Sequence, residues 1–70
     1  MTPKEAKRLA IEHLHARRSA RGYRYLDHAT GREWVSPARD LVALGRMLAQ
    51  GTTDAYSVWA SETIAREVRP

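Results

Sequence analysis

The sequence predicts an α+β domain: a capped N-terminal helix, a β-hairpin, a core helix and a third, C-terminal helix. Three observations carry this prediction. The cap-then-proline pairs Thr2-Pro3 and Ser36-Pro37 mark two helix starts. Between them, Tyr23 to Val35 holds two strand-like runs around a turn that contains Gly31. Beyond Gly51, a segment with helical composition opens at Thr53-Asp54.

In Thr2-Pro3-Lys4-Glu5, threonine can cap, proline suits the first helical position, and Glu5 falls where a capping box needs it. The helix is expected over 3–20, closed by Arg21-Gly22. At about 100° per residue, Ala6, Leu9, Ala10, His13 and Leu14 share one side, while Lys4, Arg8, Glu12, His15 and Ser19 project elsewhere. The stripe is thin and rich in alanine, so this helix has to dock closely on another element.

The hairpin is expected over 23–35, with Gly31 taking the positive φ of a short connection. Alternation places Tyr23 and Tyr25 on one face and Arg24 and Leu26 on the other. Two strands alone are unstable, so the hairpin must lie on helical surface, with Trp34 on the face that covers the helices. Ser36 then caps a helix over 37–50 that stops at Gly51. Ala38, Leu41, Leu44, Gly45 and Leu48 make the strongest apolar stripe of the chain. Gly45 inside it costs about 1 kcal/mol of helix propensity relative to alanine, which points to close approach of the hairpin or the first helix at that position.

The last helix is expected over 54–68. Ala55, Val58 and Ala65 point one way and Tyr56, Ala60 and Ile64 nearly opposite, with Trp59 between. Either the segment is buried on two sides or part of it is not helical; two apolar edges commonly mean contact with another subunit or a partner, with Tyr56 and Ile64 on the outer edge. The core is expected from Leu9, Leu14, Leu26, Trp34, Leu41, Leu44, Leu48 and Trp59.

Seventy residues suffice for one domain, 1–70, burying about 60% of its unfolded surface. Without cysteine there is no disulfide framework, thiol nucleophile or cysteine zinc site. No apolar run approaches the roughly 18 residues of a membrane helix. No leader-like segment opens the chain, so the expected location is the cytoplasm. Catalysis finds no support: there is no glycine-rich phosphate loop or nucleophile elbow, and Glu62 and Glu67 fall on different helical faces. So small a domain also lacks the depth for a small-molecule pocket, and neither substrate nor cofactor is expected. His13 and His15 lie about 200° apart around the helix and His28 has no companion, so no metal site is expected. His13 is expected to border the core, with His15 and His28 solvated.

Charge is the functional clue. The chain carries a formal +4 and a pI near 10.1. Residues 1–24 hold seven basic against two acidic side chains, and residues 25–70 five against six. The excess converges on Arg17, Arg18, Arg21 and Arg24, interleaved with Tyr23 and Tyr25. Arginines can clamp phosphates while tyrosines stack on bases, although basic residues also suit the end of a helix for electrostatic reasons alone. The expected partner is therefore a nucleic acid, a nucleoprotein complex or an acidic protein surface. The alternative is a protein-interaction module, with Tyr56 and Ile64 capturing a partner or a second copy of the chain.

The order of Thr2 to Ala20, Tyr23 to Val35 with its Thr30-Gly31-Arg32 turn, and Ser36 to Gln50 resembles the small head–tail joining proteins of lambda-like phages. The resemblance covers about two thirds of the chain and contains no diagnostic motif. It implies a helix–hairpin–helix fold and a place in the virion. The segment after the second helix departs from that family's basic, flexible tail, since it carries Trp59 and near-balanced charge. Size and compactness also resemble the heterogeneous phage proteins that inhibit host proteins or defence complexes, which implies action in the host cytoplasm.

Overall fold

The computed structural model describes residues 1–68, with side chains described through Ile64. Ala65 and Glu67, named above, lie outside the described side chains. The fold is α+β: helix α1 (Pro3–Leu14), strands β1 (Arg17–Ser19), β2 (Gly22–Asp27) and β3 (Arg32–Ser36), then helices α2 (Ala38–Ala49) and α3 (Ala55–Val68). The strands form one antiparallel sheet in the order β1-β2-β3.

The Thr2 capping box forms: Glu5 N–H donates to Thr2 Oγ1 at 3.2 Å, and Thr2 N–H donates to Glu5 Oε1 at 3.1 Å. The Thr2 backbone N–H, and then the Thr2 hydroxyl donating to the same Oε1 at 2.9 Å, hold the Glu5 carboxyl below its usual range. The helix ends six residues before the expected limit. His15 adopts a left-handed conformation (φ 54°), and the His15 and Ala16 amides return to the carbonyls of Glu12 and Ile11. Histidine tolerates this geometry better than most residues, so the helix closes without a glycine. The chain released there makes β1, which adds a third strand to the helix–hairpin–helix order on which the head–tail resemblance rests.

Gly22 closes the β1–β2 turn at φ 142°, where an added Cβ would collide with the backbone carbonyl of Ser36. In the β2–β3 connection Gly31 takes φ 72°, as expected, and donates to the Asp27 carbonyl at 2.8 Å. Ser36 does not cap α2. It ends β3, is fully buried, and its hydroxyl lies 2.8 Å from that of Tyr25. Pro37 occupies the cap position with no side-chain hydrogen bond. At the far end of α2 the expected glycine stop forms: Gly51 (φ 73°) and Thr52 donate to the carbonyls of Leu48 and Met47.

Helices α1 and α2 pack face to face through small residues. Ala6 and Ala10 are fully buried, and a Cβ on Gly45 would overlap the Ala6 carbonyl. The close approach expected at Gly45 is thus made by the first helix. Leu41 and Leu44, fully buried, carry this contact into the core with Leu14, Tyr25 and Trp59.

The expected core needs three changes. Leu26 is 47% exposed because it lies on the sheet face turned away from the helices. Leu9, Trp34 and Leu48 are only half-buried. In α3 one broad stripe replaces the two edges: Ala55, Trp59 and Thr63 are buried, and Tyr56, Ala60 and Ile64 flank them, half-buried. Val58, expected to face α2, is 41% exposed. Trp59 Nε1 donates to the Asp40 carbonyl at 2.8 Å, which fixes the orientation of the stripe. Among the described residues no helix is long and apolar enough to cross a membrane.

Candidate functional site

The residues of interest gather where α1 gives way to the sheet. β1 has three residues and starts at Arg17, directly across from Arg24 on β2. Before Arg17 the chain turns away through the left-handed His15. From Tyr25 onward β2 therefore lacks a strand on that side, and a concavity of about 320 Å³ opens beside it. His15, Arg17, Arg18, Arg24, Leu26 and Glu33 line its walls, above the edge of Tyr25.

Three arginines thus share this concavity with one carboxylate: Arg17 and Arg24 lie on one sheet face, and Arg18, opposite Tyr23, reaches it from the other. Arg24 Nη2 donates to Glu33 Oε1 at 2.9 Å, with both side chains more than half exposed. Such a pair contributes about 0–1 kcal/mol and yields readily to a competing anion. Among the described residues Arg17, Arg18 and Arg21 make no ion pair. Arg21 sits in the exposed β1–β2 turn, outside the concavity.

A second hollow, about 240 Å³ and mostly apolar, adjoins the first and shares His15 and Leu26 with it. His13, Leu14, His28 and Tyr56 complete its main walls. All three histidines of the chain line it; His15 and His28 are exposed, as expected, and His13, expected to border the core, is exposed as well. The helix ends before His15, so helical spacing does not separate it from His13. Among the described residues no group of three or more histidines, cysteines or acids is arranged to hold a metal ion.

One wall of this groove is anchored. Tyr56 donates its hydroxyl hydrogen to Asp27 Oδ1 at 2.7 Å, and Thr30 Oγ1 donates to Oδ2 at 2.7 Å. The Tyr56 bond, followed by that from Thr30, holds the Asp27 carboxyl below the usual carboxylate range. Burial, and then the bond to Asp27, push the Tyr56 hydroxyl well above its ordinary value.

The structure brings Arg17, Arg18 and Arg24 to one concavity, but the rings of the neighbouring tyrosines are turned to the helices. Tyr25 is 2% exposed and belongs to the core. Tyr23 is half-buried with Lys7 Nζ 5.6 Å from its ring centre. Both lie on the helix-facing side of β2, so neither offers a free ring to a base. Tyr56 and Ile64, expected on an outer edge, are half-buried instead. His15, Leu26 and Glu33 were not singled out by the sequence as contact residues. Their proximity depends on the strand register and on a helix end that lacks the usual glycine. Comparison of the chain with protein-family models, curated proteins and solved structures found no match.

Proposed function

We propose that this chain is a non-catalytic nucleic-acid-binding protein that receives backbone phosphate between Arg17, Arg18 and Arg24, with Arg21 extending the positive surface along the adjoining turn. The observation that supports this reading is the cross-strand pairing of Arg17 with Arg24. Like charges directly opposite on neighbouring strands destabilise a sheet, and a bound anion relieves the repulsion. Guanidinium forks match phosphate oxygens in pairs, a geometry that a lysine cluster would lack. The concavity is partly open and runs on into the adjoining groove, so a polymer can pass across it.

The protein-interaction reading has less support, because its leading residue, Tyr56, is engaged with Asp27. The test replaces Arg17, Arg18 and Arg21 with alanine. All three side chains are exposed, so each change should alter stability by no more than about 0.5 kcal/mol. Affinity for a labelled oligonucleotide at about 50 mM salt, where such contacts are strongest, should fall by tenfold or more. Undiminished affinity in a folded triple variant contradicts the proposal.

A further inference from the structure

The geometry points to single-stranded nucleic acid as the occupant, with one phosphate between the arginines and the neighbouring base in the histidine-lined groove. This inference rests on the phosphate-binding reading above and adds what lies beside the phosphate.

Two juxtaposed hollows of opposite character carry it. The arginine concavity is polar, while the adjoining groove is walled by Leu14, Leu26, Tyr56 and imidazoles. His15 and Leu26 belong to both, so a ligand can pass from one hollow into the other without leaving the surface. A nucleotide unit has the same division: an anionic phosphate joined by a sugar to a planar ring with apolar faces. Flat imidazoles and aliphatic walls receive such rings without reading their edges, so little sequence preference is expected. At about 240 Å³ the groove falls below the roughly 300–1,000 Å³ of a small-molecule pocket, a size for one ring rather than a whole enclosed ligand.

A paired duplex keeps its bases stacked inside and presents phosphates only, leaving the groove empty. Acidic peptides match the arginines but bring no planar ring to the groove. Leu26 supports the same assignment. It is a large apolar side chain, 47% exposed, at the boundary between the hollows, where the apolar face of a base would cover it.

The experiment measures fluorescence anisotropy of the full chain with a labelled single strand of about 12 nucleotides, within the span that such surfaces cover. A duplex of the same length and polyglutamate serve as competitors. The groove variant combines His15→Asn, which keeps a residue tolerant of left-handed geometry, with His28→Ala in the exposed turn. The single strand should bind at least tenfold more tightly than the duplex, and polyglutamate should compete poorly. The groove variant should lose about tenfold in single-strand affinity, as expected when one stacked base is lost, with duplex binding unchanged. Equal affinity for strand and duplex, unchanged single-strand binding by the variant, or efficient competition by polyglutamate overturns this inference. Failure of the underlying reading is distinct, because the arginine triple variant would then bind every polyanion as the parent does. A circular-dichroism melt of each variant excludes loss of folding as the cause.

Discussion

Tyr56, at the start of α3, donates its hydroxyl hydrogen to Asp27 Oδ1 at the end of β2, 2.7 Å away and 29 positions earlier in the chain. The carboxylate also receives the Thr30 hydroxyl, so one buried acid joins the last helix to the β2–β3 turn. Hydrogen bonds to a charged partner contribute about 1.5–3 kcal/mol, and Tyr56→Phe should cost about that much in a denaturant titration.

The same pair bounds the pH range of stability. The folded-state pKa of Asp27 is depressed, so its contribution is present above the unfolded value of about 3.9 and is lost as pH falls through the folded value. For Tyr56 the folded-state value is raised, so its contribution is complete below about 10 and is lost as pH rises through the folded value. Thermal melts should therefore show the parent losing its stability advantage over Asp27→Asn below about pH 4. A variant whose acid profile runs parallel to the parent's would show that Asp27 does not set that limit.

Gly45→Ala separates local propensity from packing. Propensity alone predicts a gain of about 1 kcal/mol. The new Cβ, however, meets the carbonyl of Ala6 on a facing helix, and backbone cannot swing aside as a flexible side chain does. The expected net effect is a loss of about 1–3 kcal/mol, each kcal/mol lowering the melting midpoint by about 4–8 °C in a domain of this size. An unchanged or raised midpoint would place the two helices further apart.

Leu44→Ala should cost about 2–5 kcal/mol, the usual range for truncating a buried leucine. Leu44 is fully buried in the cluster containing Leu14, Tyr25 and Trp59, and a small domain has little stability to spare. A midpoint within a few degrees of the parent would mean that the cluster is not the centre of the core.

Where local chemistry decides the outcome, the sequence is legible. The Thr2–Glu5 box, the left-handed Gly31 and Gly51, and the small-residue approach at Gly45 follow from residue type and spacing. The end of the first helix is not legible, because its stop is a histidine in left-handed geometry with the nearest glycine seven residues later. The same histidine stop conceals β1 and, with it, the pairing of Arg17 with Arg24. Ser36 reads as a cap, but its buried hydroxyl is engaged by Tyr25, a tertiary contact that no local pattern reveals. In α3 the buried stripe passes through Thr63, so a search for apolar periodicity divides it in two. The arginines of the candidate site are conspicuous in sequence; their neighbours His15, Leu26 and Glu33 are not, because strand register assembles them.

Glu33→Gln should tighten nucleic-acid binding. The carboxylate occupies Arg24 and repels phosphate, yet as half of an exposed pair it contributes little to stability, about 0–1 kcal/mol. A severalfold gain in affinity at low salt is expected, with an unchanged melt. Weaker binding in this variant would mean that Glu33 positions Arg24 for its ligand and does not compete with it.

Electrostatic capture of phosphate is tested most directly by the salt dependence of single-strand binding between about 50 and 200 mM. Three phosphate contacts predict a slope of log affinity against log salt of about −2, at roughly −0.7 per contact on a single strand. The folded Arg17→Ala, Arg18→Ala, Arg24→Ala variant should approach zero slope. A parent slope of zero, or a slope unchanged in the variant, would contradict binding at these arginines.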